Sequence, residues 1–184
     1  MTAREFDPSR LDVAAFAKEG GSLEGCWPVQ RLVRLHAAAL EPAGTDEADA
    51  VAWQVRGEVL RVGGGAGQPW LHLNASTRLT LQCQRCLGPV DTALQVERRF
   101  LFVHGEDAAA QLDADSEDDV LALTRALDVR DLVEDELLLA LPLVPRHTLC
   151  PQPLPVPQTP ELDGETKPNP FAALAALKRG RPTN

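Results

Sequence analysis

Cys83 and Cys86 are separated by two residues, and His147 and Cys150 form a second short-spaced pair further along the chain. Two thiolates at that spacing on a tight turn can both reach one tetrahedral zinc at about 2.3 Å, and a second pair completes four ligands. Cys83, Cys86, His147 and Cys150 are therefore a candidate Cys3His metal site with zinc as the candidate cofactor, and Gly88 lets the backbone turn back after the first pair. The two pairs are distant in sequence, so their meeting is an inference. Two other readings stay open, an inert thiol turn and a thiol redox protein using Cys83 and Cys86. Thioredoxin-type chemistry wants the first cysteine at a helix N-terminus in a βαβ unit; here the pair joins two alternating strands, which ranks redox last.

The other reactive residue types have simpler uses. His36, His72 and His104 stand alone in or beside expected strands and form no triad. Asp131, Glu134, Asp135 and Glu136 crowd a helix start, where compensation of the helix dipole accounts for them. Trp27, Trp53 and Trp70 lie in apolar stretches and are expected in the core rather than stacked on bases. Gly63-Gly-Gly-Ala-Gly67 lacks the Lys-Ser/Thr and helix of a phosphate loop, and nothing in the chain asks for an enzyme or a small-molecule substrate.

Around these residues lie 184 amino acids, 44% of them apolar, with a formal charge of −9. That is enough for one buried core, and the negative charge argues against a surface that tracks phosphates throughout. The first residues carry charges and Pro8 where a signal peptide needs an apolar run, and no stretch approaches the roughly 18 apolar residues of a membrane span. The expected location is the cytoplasm, with reduced thiols and no membrane contact.

The elements that must position the cysteines follow from periodicity. Ser9 is the expected cap of a short helix ended by Gly20-Gly21. Val29–His36 reads as a first strand pairing with a second at residues 51–59. Leu71, Leu73, Ala75, Thr77, Leu79 and Leu81 share one face, and Val90, Leu94, Val96, Phe100 and Phe102 repeat the pattern, giving a long hairpin with the Cys83–Pro89 segment at its tip. Arg85, Arg98 and Arg99 are placed near that tip as candidate contacts to RNA or a partner. The acidic stretch between Gly105 and Asp119 reads as a mobile loop; a calcium loop is the sharper alternative, but the EF-hand glycine and glutamate are missing. Asp128 is the expected cap of a second helix ended by Pro142 and Pro145.

The sequence therefore predicts an α+β fold: an antiparallel sheet from about Val29 to Val103, able to curl toward a barrel, packed against helices, with a Pro-rich tail ending in a short helix. The expected division is a core domain at residues 1–145, a Pro-rich linker at 146–166, and an amphipathic helix with a basic tail at 167–184. In the last segment Asn169 caps, Pro170 opens the helix and Phe171 begins its apolar stripe; Lys167, Asn169, Phe171, Lys178 and Arg179 are candidate partner-binding residues.

Three blocks taken in order, Leu81–Leu87, Asp131–His147 and Lys167–Lys178, resemble the YceD family of large ribosomal RNA subunit accumulation proteins. The resemblance implies a non-enzymatic factor in ribosome biogenesis that supports large-subunit ribosomal RNA. Its implied partner is a large-subunit ribosomal protein or pre-ribosomal particle, with contact to RNA indirect, and an acidic chain suits a basic protein partner. Many family members carry a second cysteine-rich cluster after the helix block, of which this chain keeps His147 and Cys150. A general acidic chaperone for basic proteins is a further reading, and it predicts salt-sensitive binding to many cationic partners.

Overall fold

The computed structural model describes residues 5–40, 50–61 and 67–151, and the linker and terminal helix expected beyond these lie outside the described residues. The first helix, α1 (Val13–Lys18), is capped by Asp12, whose carboxylate accepts from the Ala15 amide at 3.0 Å. This corrects the expected Ser9 cap. Ser9 instead donates its amide and hydroxyl to Asp7, forming an Asx turn before the helix. Gly20, at φ +61°, ends α1, and the Gly21 amide reaches back to the Phe16 carbonyl at 3.0 Å. Only a residue without a Cβ adopts that left-handed stop cheaply.

β1 (Ser22–Pro28) is the true first strand, and residues 29–38 form a 3-10 turn followed by helix α2 (Val33–Ala38). The expected strand at Val29–His36 is thus wrong. Val29, Leu32 and Leu35 are the fully buried residues, a spacing of three, while Val33 is 71% exposed. Read as i, i+3, i+6 the segment is helical, and its β-branched residues concealed this.

β2 (Ala50–Leu60), β3 (Gln68–Gln82) and β4 (Pro89–Val103) follow, each antiparallel to its neighbour, with β1 on the outside of β2. Helix α3 (Glu106–Asp115) then crosses to β5 (Asp119–Ala122), which pairs parallel with β4. The sheet order is β1-β2-β3-β4-β5, and the sheet is open rather than closed into a barrel. α3 replaces the loop expected at 105–119. Ala108-Ala109-Ala110 favours helix, Glu106 and Asp107 suit its positive end, and a parallel strand needs a crossover. The Asp113 carboxylate accepts from the Val120 amide at 2.9 Å, using one of the loop's acids to hold β5.

The fold is α+β, with one main core between the inner face of the sheet and three helices. Val51, Val55, Leu71, Leu73, Phe100 and Phe102 meet Val13 and Phe16 of α1, Leu35 of α2, and Val133 and Leu137 of α4 (Val129–Leu139). A Cβ on Gly57 would come within 2.7 Å of Phe16, so this glycine lets α1 press onto β2. On the outer face α3 covers a smaller cluster of Trp70, Leu101, Ala109 and Val120. Trp27 stacks on Trp53 at 4.4 Å, and both Trp53 and Trp70 are buried, so the tryptophans pack as expected.

α4 is capped by Asp128, which accepts from Arg130 and Asp131 amides at 2.9 and 3.4 Å. Two of its acids do more than compensate a dipole. Glu134 is only 6% exposed and accepts from the Arg34 and Leu35 amides at 2.6 and 3.1 Å, and so caps α2 across 100 residues of sequence. The Arg34 guanidinium donates to Glu134 at 3.0 Å and to Asp135 at 2.6 Å. Buried Glu136 pairs with Arg98 at 3.3 Å.

Candidate metal centre

The long strands β3 and β4 carry the first cysteine pair to their common turn. The Cys83 amide donates to the Gly88 carbonyl at 2.9 Å, and the Leu87 amide to the Cys83 carbonyl at 2.8 Å. Leu87 sits at φ +61°, an unusual strain for a leucine, and it folds the turn back on itself. The segment after α4 is drawn in by one main-chain bond, from the Gln84 amide to the Pro145 carbonyl at 2.9 Å. His147 and Cys150 then arrive beside the turn.

The four ligand atoms lie within 4.8 Å of one another. Cys83 Sγ is 3.9 Å from Cys150 Sγ, and Cys86 Sγ is 3.4 Å from His147 Nδ1. A tetrahedral zinc with bonds of about 2.3 Å to sulfur and 2.0 Å to nitrogen sets S···S at about 3.8 Å and S···N at about 3.5 Å. The cluster has both spacings, whereas a disulfide needs its sulfurs about 2.05 Å apart. All of the cysteines are free thiols.

His147 is oriented for this work. Its Nε2 lies 2.8 Å from the Pro89 carbonyl, which can only accept, so Nε2 carries the proton and Nδ1 turns its lone pair to the cluster. Burial pushes the Cys83 thiol up, but the amides of Cys86, His147 and Arg85, with the Cys86 side chain, outweigh it and hold Cys83 at about 5. Cys150 moves the other way, raised by burial, by hydrogen bonds with Cys86 and Cys83, and by their negative charge. Converging thiolates raise one another unless a cation lies among them, and the donor set therefore fits zinc in its structural, closed form.

The other candidate residues disperse. Cys26 is exposed on β1 opposite Ala52, apart from the cluster. Arg85 is exposed at the turn, but Arg98 and Arg99 pair with Leu73 and His72, about 30 Å along β4 from the turn. Their expected position near the tip is corrected by this register. Arg98 is held by Glu136, and Arg99 by Asp118 at 2.5 Å and by the Trp70 ring at 5.5 Å. His72 pairs with Glu58 and joins no site. Lys167, Asn169, Phe171, Lys178 and Arg179 lie outside the described residues. The Glu134 cap went unread in the sequence, although α2 has no capping side chain of its own and Glu134 adjoins the apolar positions Val133 and Leu137.

Fold and site together define an α+β domain in which a Cys3His group joins a hairpin turn to the segment after α4. The chain belongs to the YceD family, described as large ribosomal RNA subunit accumulation protein YceD, which matches residues 71–178. That span takes in β3 from Leu71 onward, the cysteine turn, β4, α4 and both members of the second ligand pair. The large ribosomal RNA subunit accumulation protein YceD of Haemophilus influenzae is 38% identical over 104 residues, 54% of this chain and 59% of that relative. No solved structure matches the chain. Among the described residues no helix is long and apolar enough to cross a membrane.

Proposed function

We propose that the chain is a binding factor, not an enzyme, that supports accumulation of large-subunit ribosomal RNA in the cytoplasm. The observation that carries the reading is family membership over residues 71–178, a span that includes the whole ligand set. In this reading zinc held by Cys83, Cys86, His147 and Cys150 supplies structural cross-linking only. The chain's own part is to present the clamped turn, with Arg85 and Arg146 exposed on it, as a grip for a ribosomal protein or pre-ribosomal particle. Deleting the gene and following large-subunit ribosomal RNA and subunit profiles is the direct test. A deficit restored by the wild-type chain and not by Cys83→Ser is expected; unchanged RNA levels would end the proposal.

The thiol redox reading has one observation in its favour, the lowered Cys83. A zinc ligand needs the same thiolate, and Cys83 is fully buried, out of reach of a substrate disulfide. One zinc per chain, with no turnover of a small disulfide, is the outcome that separates the two.

A further inference from the structure

The outer face of the sheet, on the side away from the main core, holds a trough of about 690 Å³. Strand register builds it. Glu24, Gln54, Asn74 and Glu97 stand in one row across β1 to β4, and Cys26, Ala52, Ser76 and Gln95 form the next row. Alternation puts these eight side chains opposite Trp53, Ala75 and Val96, whose side chains enter the core. Small Ala52 and Ser76 leave the middle low, and the two glutamates stand at the ends of their row.

The lining chemistry is one-sided. It contributes two carboxylates, three side-chain amides and a hydroxyl, with no lysine, arginine or histidine. Glu24 accepts from Gln54 at 2.9 Å, and neither Glu24 nor Glu97 has an ion-pair partner among the described residues; Arg56 and Arg99 stand in the next row of the same face, where Arg99 is held by Asp118. A nucleic acid would bring phosphates onto the two carboxylates and find no exposed aromatic ring in the row to stack on. We infer that this trough binds an extended, lysine- or arginine-rich polypeptide segment. The spacing supports it: three strand intervals set the glutamates about 14 Å apart, and in an extended chain residues i and i+4 lie on one face about 13 to 14 Å apart. Basic residues four apart reach both carboxylates at once, while the amides accept from the backbone and side chains between them.

This deepens the binding reading above by naming the class of partner. Its test uses a peptide alone, so it can fail while the effect on ribosomal RNA stands, and the reverse. The full chain is titrated with a labelled lysine/serine/glycine peptide carrying lysine at every fourth position, with affinity read by anisotropy and location by amide chemical shifts. Saturable, salt-sensitive binding that shifts the Glu24 and Glu97 rows is expected, weakened about tenfold in Glu24→Gln/Glu97→Gln. The control Glu106→Gln/Asp107→Asn removes the same charge from exposed positions on α3 and should change affinity less than twofold. Equal weakening in both variants, shifts confined to other surfaces, no saturable binding, or an oligouridine RNA that shifts the same rows would each overturn the proposal.

Discussion

Two polar clusters each tie together parts of the chain far apart in sequence, and they do it by opposite means. Around Arg34 and Glu134 protein donors meet the carboxylates locally: Glu134 takes two helix amides and a guanidinium, and Asp135 takes the rest of the fork. At Cys83, Cys86, His147 and Cys150 all four groups are donors of lone pairs whose ligand atoms gather within 4.8 Å of one another. The first cluster is complete with protein groups alone and belongs to the core. The second is a donor set that a metal ion could complete, and it stands at the end of two long strands with Leu87, Leu143 and Leu149 exposed around it.

The contrast can be broken most decisively at the thiol cluster. Chelation of the purified protein, or Cys83→Ser, is expected to abolish stoichiometric zinc. Amides at 83–88 and 145–150 should then exchange about 100-fold faster or more, because a structural zinc holds its ligands with a binding energy of several kcal/mol. The sheet core, built on Leu71, Leu73, Phe100 and Phe102, should keep its protection. Global unfolding on chelation would mean the two clusters are not independent.

A smaller but global effect is expected at the core cluster. Glu134→Ala leaves two α2 amides without their acceptor, and an orphaned buried donor costs about 1 to 3 kcal/mol, giving about 3 kcal/mol in all with Arg34 free to turn to solvent. Glu134→Gln keeps an oxygen for the amides and should lose about 1 kcal/mol. Urea midpoints with unchanged slope measure both, and zinc content should not move. A loss under 1 kcal/mol for the alanine variant would remove Glu134 as the cap of α2.

The smallest expected effect concerns Arg98 and depends on pH. Burial raises the Glu136 carboxyl above its ordinary value of 4.5, and the Arg98 charge opposes that rise. A carboxyl whose folded value is raised costs stability as pH climbs through the window above 4.5, because the folded state holds the proton more tightly than the unfolded one. Arg98→Ala removes the opposing charge, so it should cost about 1 kcal/mol at neutral pH and progressively less as acid protonates Glu136. A cost that is the same at pH 4 and pH 7 would show that the pair contributes through packing alone.

Period-two alternation made β2, β3 and β4 legible, and the short Cys83–Cys86 spacing marked the turn between two of them. Asp128 before an apolar helical stripe marked α4. The misread segments share a cause: their own residues do not decide their form. Val29–Ala38 carries β-branched residues yet is helical, with its free amides met by Glu134 from another element. Residues 106–115 look like a solvated acidic loop, and they are a helix because β5 must return parallel to β4 and Ala109 can lie on Trp70 and Leu101.

The amino-acid sequence by itself determined β2, β3 and β4, the Asp128 cap and the two short-spaced ligand pairs, because side-chain alternation and hydrogen bonds to adjacent amides act over a few residues. Tertiary structure alone decided that His147 and Cys150 meet Cys83 and Cys86, that Glu134 caps a helix 100 residues away, and that Glu24 and Glu97 share one row. Those meetings depend on which loop closures the core's packing makes favourable, and loop closure leaves no periodic trace in the residues that it joins.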